Sequence, residues 1–148
     1  MNKHLICLAL GKTCVGKSSF INEITGKQDC TVSSEGKAWI TIYNIIETER
    51  IGQKLVFIDT PGLMDAKGDG INIKTITDAI AVYPGFRCLL ILMKFQDKRL
   101  DISIVKTLEK YIEIFPLQNF WDHVIIIRTH AKKDDDDFED NVKKLKVQ

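Results

Sequence analysis

The stretch that decides the fold is Leu5-Ile6-Cys7-Leu8-Ala9-Leu10, followed at once by Gly11-Lys12-Thr13-Cys14-Val15-Gly16-Lys17-Ser18-Ser19. Six apolar residues in a row suit a strand buried on both faces of a parallel sheet. The next eight match G-x-x-x-x-G-K-[ST] without a gap. Residues 17–25 read as a helix, with Phe20, Ile21 and Ile24 on one face and Gly26 as its stop. Strand, glycine loop and helix in this order form a phosphate cradle. The glycines let the backbone turn tightly, so successive N–H groups converge on an anion, and the helix adds its positive dipole end. Lys17 is placed to reach β- and γ-phosphate oxygens, and Ser18 to ligate Mg²⁺ through its hydroxyl. The backbone of Lys12, Thr13, Cys14, Val15, Gly16 and Ser19 is expected to line the phosphates.

Downstream, apolar runs alternate with helical patterns. Residues 38–47 alternate in part (Trp39, Thr41 and Tyr43 against Ile40, Ile42 and Asn44) and suggest a strand. Residues 50–53 read as a turn, and residues 55–58 as a second strand hairpinned to the first. Residues 60–72 contain Pro61 and three glycines and read as a loop. A helix over 73–83 ends at Pro84-Gly85. A buried strand over 88–93 follows. Ile102, Val105, Leu108, Ile112 and Phe115 are spaced as the core face of a helix, and residues 124–127 form a further apolar strand. These elements predict an α/β, three-layer, doubly wound sheet, mostly parallel with one antiparallel edge strand.

A second phosphate motif, Asp59-Thr60-Pro61-Gly62, stands at the end of a strand about forty residues beyond the loop. Asp59 is the carboxylate expected to hold Mg²⁺, and the Gly62 N–H is placed to approach a γ-phosphate. Many GTPases carry Gln after this glycine to orient the attacking water. Leu63 stands here and can neither donate nor accept a hydrogen bond, which predicts slow intrinsic hydrolysis or a catalytic group supplied from elsewhere. Between the first helix and the next strand, Thr31, Ser33 and Ser34 are candidates to complete the Mg²⁺ shell, and Thr31 is preferred.

Composition bounds the remaining possibilities. The chain has 148 residues, one domain's worth, with 21 Lys+Arg against 20 Asp+Glu. A net charge of +1 gives no electrostatic case for nucleic acid or an anionic membrane surface. No apolar stretch of about 18 residues supplies a membrane anchor. Cys7, Cys14, Cys30 and Cys88 show no CxxC or metal-type spacing. They read as reduced thiols of an intracellular, cytoplasmic chain, with room for peripheral contact with an organelle membrane. The acidic run 134–137 reads as a solvated helix start.

With the motifs in place, the chain resembles translation-factor-class GTPases. It is most similar to the AIG-type GTPases: the immunity-associated GTPases and, more distantly, the chloroplast import receptor GTPases and septins. Residues 11–26, GKTCVGKSSFINEITG, are close to the family's GKTGxGKSxxxNxILG, and residues 59–65, DTPGLMD, to its DTPGLFD. Residues 87–115 are similar to its conserved-box segment and helix. The resemblance implies GTP and GDP as ligands, Mg²⁺ as cofactor, and homodimers or larger assemblies across the nucleotide face. It also implies an arginine acting in trans on the partner's nucleotide, and Arg99 stands at about the matching place.

Guanine selectivity in this class comes from [NT]-K-x-D after a buried strand. Here the strand is followed by Arg128-Thr129-His130-Ala131-Lys132-Lys133-Asp134. Thr129-His130-Ala131 resembles the import-receptor variant, in which the His stacks on the base, and Lys132-Lys133-Asp134 is the alternative, a shifted K-x-D. His130 is preferred because it begins where the apolar run ends. The family has a further strand, a base-contacting loop and one or more helices beyond this point, so residues 1–148 are expected to form a single, C-terminally incomplete G domain. Three readings follow: a slow GTPase, a GTP-gated scaffold with negligible hydrolysis, and, because the base motif departs from the usual pattern, an ATPase.

Overall fold

A computed structural model describes residues 4–28, 43–62, 69–82, 88–96, 102–115 and 117–131. The apolar runs become strands and the 3.6-period segments become helices. In chain order these are β1 (Leu5–Leu10), α1 (Lys17–Thr25), β2 (Asn44–Arg50), β3 (Gln53–Asp59), α2 (Asp69–Val82), β4 (Cys88–Lys94), α3 (Ile102–Ile114) and β5 (Val124–Thr129), with a single 3-10 turn, Phe120–His123, leading into β5.

The strands form one five-stranded sheet in the order β2-β3-β1-β4-β5. β1 pairs in parallel with β3 and β4, and β4 in parallel with β5. Among the described strands only β2 runs antiparallel, along β3 from Asn44↔Asp59 to Arg50↔Gln53. The expected mixed sheet with one antiparallel edge is present.

Side-chain alternation divides β1 and β4 between two cores. Leu8, Leu10, Leu89, Ile91 and Met93 face α2 and α3, where Ile76, Ala79, Tyr111 and Phe115 cover them. Cys7, Ala9, Leu90 and Leu92 face α1 and meet Val15 and Ile21. Helices therefore cover both faces, giving three layers. Each fully buried Leu or Ile contributes roughly 1.5–3 kcal/mol, which makes β1 and β4 the anchor of the fold. The loop thus leaves the well-buried end of β1, where Leu8, Ala9 and Leu10 are at most 1% exposed.

Three expectations need correction. The strand expected over residues 38–47 is β2 and runs from Asn44 to Arg50, while residues 38–42 lie outside the described residues. Its register is set by β3, and the hairpin closes on Ile51-Gly52, both at positive φ (52° and 69°), the geometry of a two-residue turn matched to strand twist. α2 begins at Asp69, four residues before the expected start. The core face of α3 is also rotated from the expected one. Ile102, Val105 and Ile112 are exposed, at 75%, 40% and 42%, and the stripe on the sheet is Leu108, Tyr111 and Phe115. The helix carries apolar residues on two adjacent stripes, and the sheet selects the one that includes the large Tyr111 ring.

Candidate functional site

β1 ends at Leu10, and the chain turns at Gly11 with φ 153°. A Cβ there would stand 2.7 Å from the Leu92 carbonyl oxygen and 2.9 Å from Val15 Cγ2, so the loop lies directly against β4. Cys14 (φ 60°) and Gly16 (φ 93°) both take left-handed backbone. Such turns aim neighbouring N–H groups into one concavity, the geometry of an anion nest. Gly16 caps α1 without a side-chain hydrogen bond. The opening N–H groups of the helix, at Lys17, Ser18 and Ser19, thus meet no side-chain cap at Gly16 and suit a phosphate.

Lys17 is buried, at 7% exposure. Its Nζ donates to the Gly11 carbonyl (3.1 Å) and the Lys12 carbonyl (3.0 Å), so the ammonium lies inside the loop rather than in solvent. Val15 packs inward and Cys14 is exposed. Cys14 contributes its backbone to the loop.

β3 brings the second motif alongside. Asp59 is fully buried, and its Oδ2 accepts a hydrogen bond from Ser18 Oγ at 2.7 Å. A hydroxyl and a carboxylate at this separation are two hard oxygen donors, the type that holds Mg²⁺ together with substrate phosphates. Ser18 and Asp59 fit that ion. Thr60 is also buried, and its hydroxyl donates to the Ala9 carbonyl at 2.6 Å, pinning the end of β3 to β1. Gly62 then passes so close to the loop that a Cβ on it would run into the Thr13 N and Oγ1. The approach of the second motif to the first requires glycine at this position. Thr31, Leu63 and Arg99 lie outside the described residues.

The third wall comes from β5. His130 follows the strand, exposed and at φ 57°. A Cβ on Gly16 would lie 3.5 Å from His130 Nε2, so the imidazole borders the phosphate loop. The structure thus brings together Lys12, Thr13, Cys14, Val15, Gly16, Lys17, Ser18, Ser19, Asp59, Gly62 and His130. One role at this wall was not read from the sequence, that of the Thr129 hydroxyl. Thr129 Oγ1 donates to the Val15 carbonyl at 2.5 Å and lies 3.2 Å from the Met93 carbonyl. Its own carbonyl accepts from the Phe95 N–H at 2.8 Å. Thr129 therefore latches the His130 corner to the phosphate loop across 114 residues of sequence. Thr129→Val keeps the shape and removes the hydroxyl. It is expected to cost about 1–3 kcal/mol, through the Val15 carbonyl left unmatched, and to weaken nucleotide binding roughly tenfold in a fluorescent-nucleotide titration.

A strand–loop–helix anion cradle, a buried lysine within it, a hydroxyl–carboxylate pair at its mouth and a mostly parallel three-layer sheet define a P-loop nucleotide-binding fold of the G-domain type. The family model described as "AIG1 family" matches residues 5–147, and the chain belongs to that family. Its sequence is similar to Translocase of chloroplast 159, chloroplastic, of Arabidopsis thaliana, at 31% identity over 133 residues, covering 84% of this chain and 8% of that protein. Its fold is similar to that of Toc33 from Arabidopsis thaliana in complex with Mg²⁺ and GMPPNP, with TM-score 0.76 and 25% identity, covering 99% of this chain and 60% of that one. A further structure concerns the importance of dimerization for the GTPase activity of the chloroplast translocon components atToc33 and psToc159. It superposes with TM-score 0.82 at 24% identity, over 99% of this chain and 59% of its own. No helix among the described residues is long and apolar enough to cross a membrane.

Proposed function

We propose that this chain binds guanine nucleotide and hydrolyses GTP slowly to GDP and phosphate with Mg²⁺, and that a second copy across the nucleotide face completes or regulates the step. The observation that carries this reading is the Ser18–Asp59 contact of 2.7 Å beside a buried Lys17. It unites the two phosphate motifs at one point. Bound there, Mg²⁺ supplies charge neutralisation at the phosphate oxygens. Ser18 and Asp59 would hold it, with Thr31 as the third protein ligand. Lys17 and the loop N–H groups would bind the phosphates and take up charge that develops on them. The Gly62 N–H would approach the γ-phosphate, and His130 would stack on the guanine.

Guanine as the base, and the dimer, are supported by family membership, by the similar Toc33 in complex with Mg²⁺ and GMPPNP, and by the importance of dimerization for the GTPase activity of atToc33 and psToc159. In a dimer, Arg99 is the residue proposed to reach the partner's phosphates, where a guanidinium can bridge two oxygens. A second reading is favoured by one residue. Leu63 cannot orient a water, so the chain could instead act as a GTP-gated scaffold with negligible hydrolysis.

Phosphate release from GTP, followed across a range of chain concentrations, separates the two. The specific rate is expected to be low in dilute solution and to rise with concentration. A rate that stays at background at every concentration, with GTP bound, would select the scaffold.

A further inference from the structure

Two buried nucleophilic side chains have no part in the nucleotide site. Cys7 and Cys88 are register partners on the adjacent parallel strands β1 and β4. Both are free thiols, 5% and 9% exposed, on the sheet face that α1 covers. They sit near the beginnings of their strands, whereas the phosphate loop leaves the far end of β1. Adjacent strands run about 4.8 Å apart, and disulfides join Cα atoms about 4.4–6.8 Å apart. The backbone already holds the two cysteines within bonding range.

The side chains are also engaged with each other. The Cys7 thiol is held well above the usual thiol range, first by its hydrogen bond to Cys88 and then by burial. The Cys88 thiol is lowered by the same hydrogen bond, against the opposing effect of burial. Cys88 is the more exposed of the two, 9% against 5%, and is the member placed to meet an oxidant first.

We propose that Cys7 and Cys88 are a reversible redox pair that closes to a disulfide on reaction with a hydroperoxide. The Cys88 thiolate attacks one peroxide oxygen. The S–O bond forms, the O–O bond breaks, and the leaving hydroxide takes a proton to become water. Cys88 is then a sulfenic acid, its sulfur oxidised by two electrons and the peroxide reduced by two. Cys7, giving up its proton, attacks the Cys88 sulfur. The S–S bond forms, the S–O bond breaks, and a second water leaves. In sum, two thiols and one hydrogen peroxide give one disulfide and two waters.

Cys14 differs in kind: it is exposed, single and within the phosphate loop.

The test uses the purified, reduced full chain treated with stoichiometric hydrogen peroxide. The product is denatured in N-ethylmaleimide, digested without reduction and mapped by mass spectrometry. The expected result is a cross-linked peptide pair joining Cys7 to Cys88, the loss of both thiols from the alkylated pool, and recovery of both after dithiothreitol. In Cys7→Ser, Cys88 is expected to stop at the sulfenic acid and to be trapped by dimedone. If that variant does not fold, the wild-type map decides alone. Recovery of Cys7 and Cys88 as maleimide adducts while Cys14 is oxidised would overturn the proposal. So would Cys88 taken to the sulfinic acid with Cys7 unreacted.

Discussion

Lys17→Ala is expected to lower nucleotide affinity by at least about 100-fold, equivalent to roughly 2.7 kcal/mol, with the fold retained. The lysine is buried at 7% exposure and bonds two carbonyls of its own loop, so its ammonium is already desolvated and fixed inside the loop proposed to bind the phosphates. A charge held in place for its ligand loses little entropy on binding, and its interaction is only weakly screened. Alanine removes that charge and leaves the Gly11 and Lys12 carbonyls without this donor. Equilibrium titration with fluorescent GDP reads the loss, and circular dichroism verifies the fold. Unchanged affinity in a folded variant would place the phosphate site elsewhere.

Gly11→Ala is expected to act on stability rather than on charge. The added Cβ would meet the backbone oxygen of Leu92 at 2.7 Å and Val15 Cγ2 at 2.9 Å, and the residue would be held at φ 153°, where side chains are strained. Neither neighbour can yield easily. Leu92 O belongs to β4, paired on both sides within the sheet, and Val15 is a buried part of the loop. Overpacking and backbone strain together cost about 2–4 kcal/mol, a fall in Tm of roughly 5–15 °C. Thermal unfolding followed by circular dichroism reads this directly. The contrasting substitution Gly26→Ala meets nothing within 4 Å, carries only the strain of φ 67°, and is expected to cost about 1 kcal/mol.

These two positions illustrate what was legible in the sequence. β1, the loop and α1 follow from local pattern, because an apolar hexamer, two glycines at fixed spacing and a helical face each determine their own structure. Asp59-Thr60-Pro61-Gly62 was legible by its place at a strand end. Pairings that close over long sequence distances were not. The order β2-β3-β1-β4-β5 depends on which strands meet, and the Thr129 latch to Val15 depends on β5 lying beside β4. A threonine after an isoleucine run carries no mark of that partner. The α3 face was misplaced because two apolar stripes compete on one helix, and periodicity cannot rank them. β5 shows the same limit: it reads as an apolar run, yet Ile125 and Ile126 are 53% and 51% exposed, because β5 lies at the sheet edge among the described residues.

The most direct test of the nucleotide assignment is titration calorimetry of this chain with GDP, GTP, ADP and ATP, each with and without Mg²⁺. Guanine nucleotides are expected to bind at micromolar affinity or tighter, adenine nucleotides at least about tenfold more weakly, and GTP more tightly when Mg²⁺ is present. Equal binding of ATP and GTP would contradict the guanine assignment, and binding of none of the four would contradict the site itself.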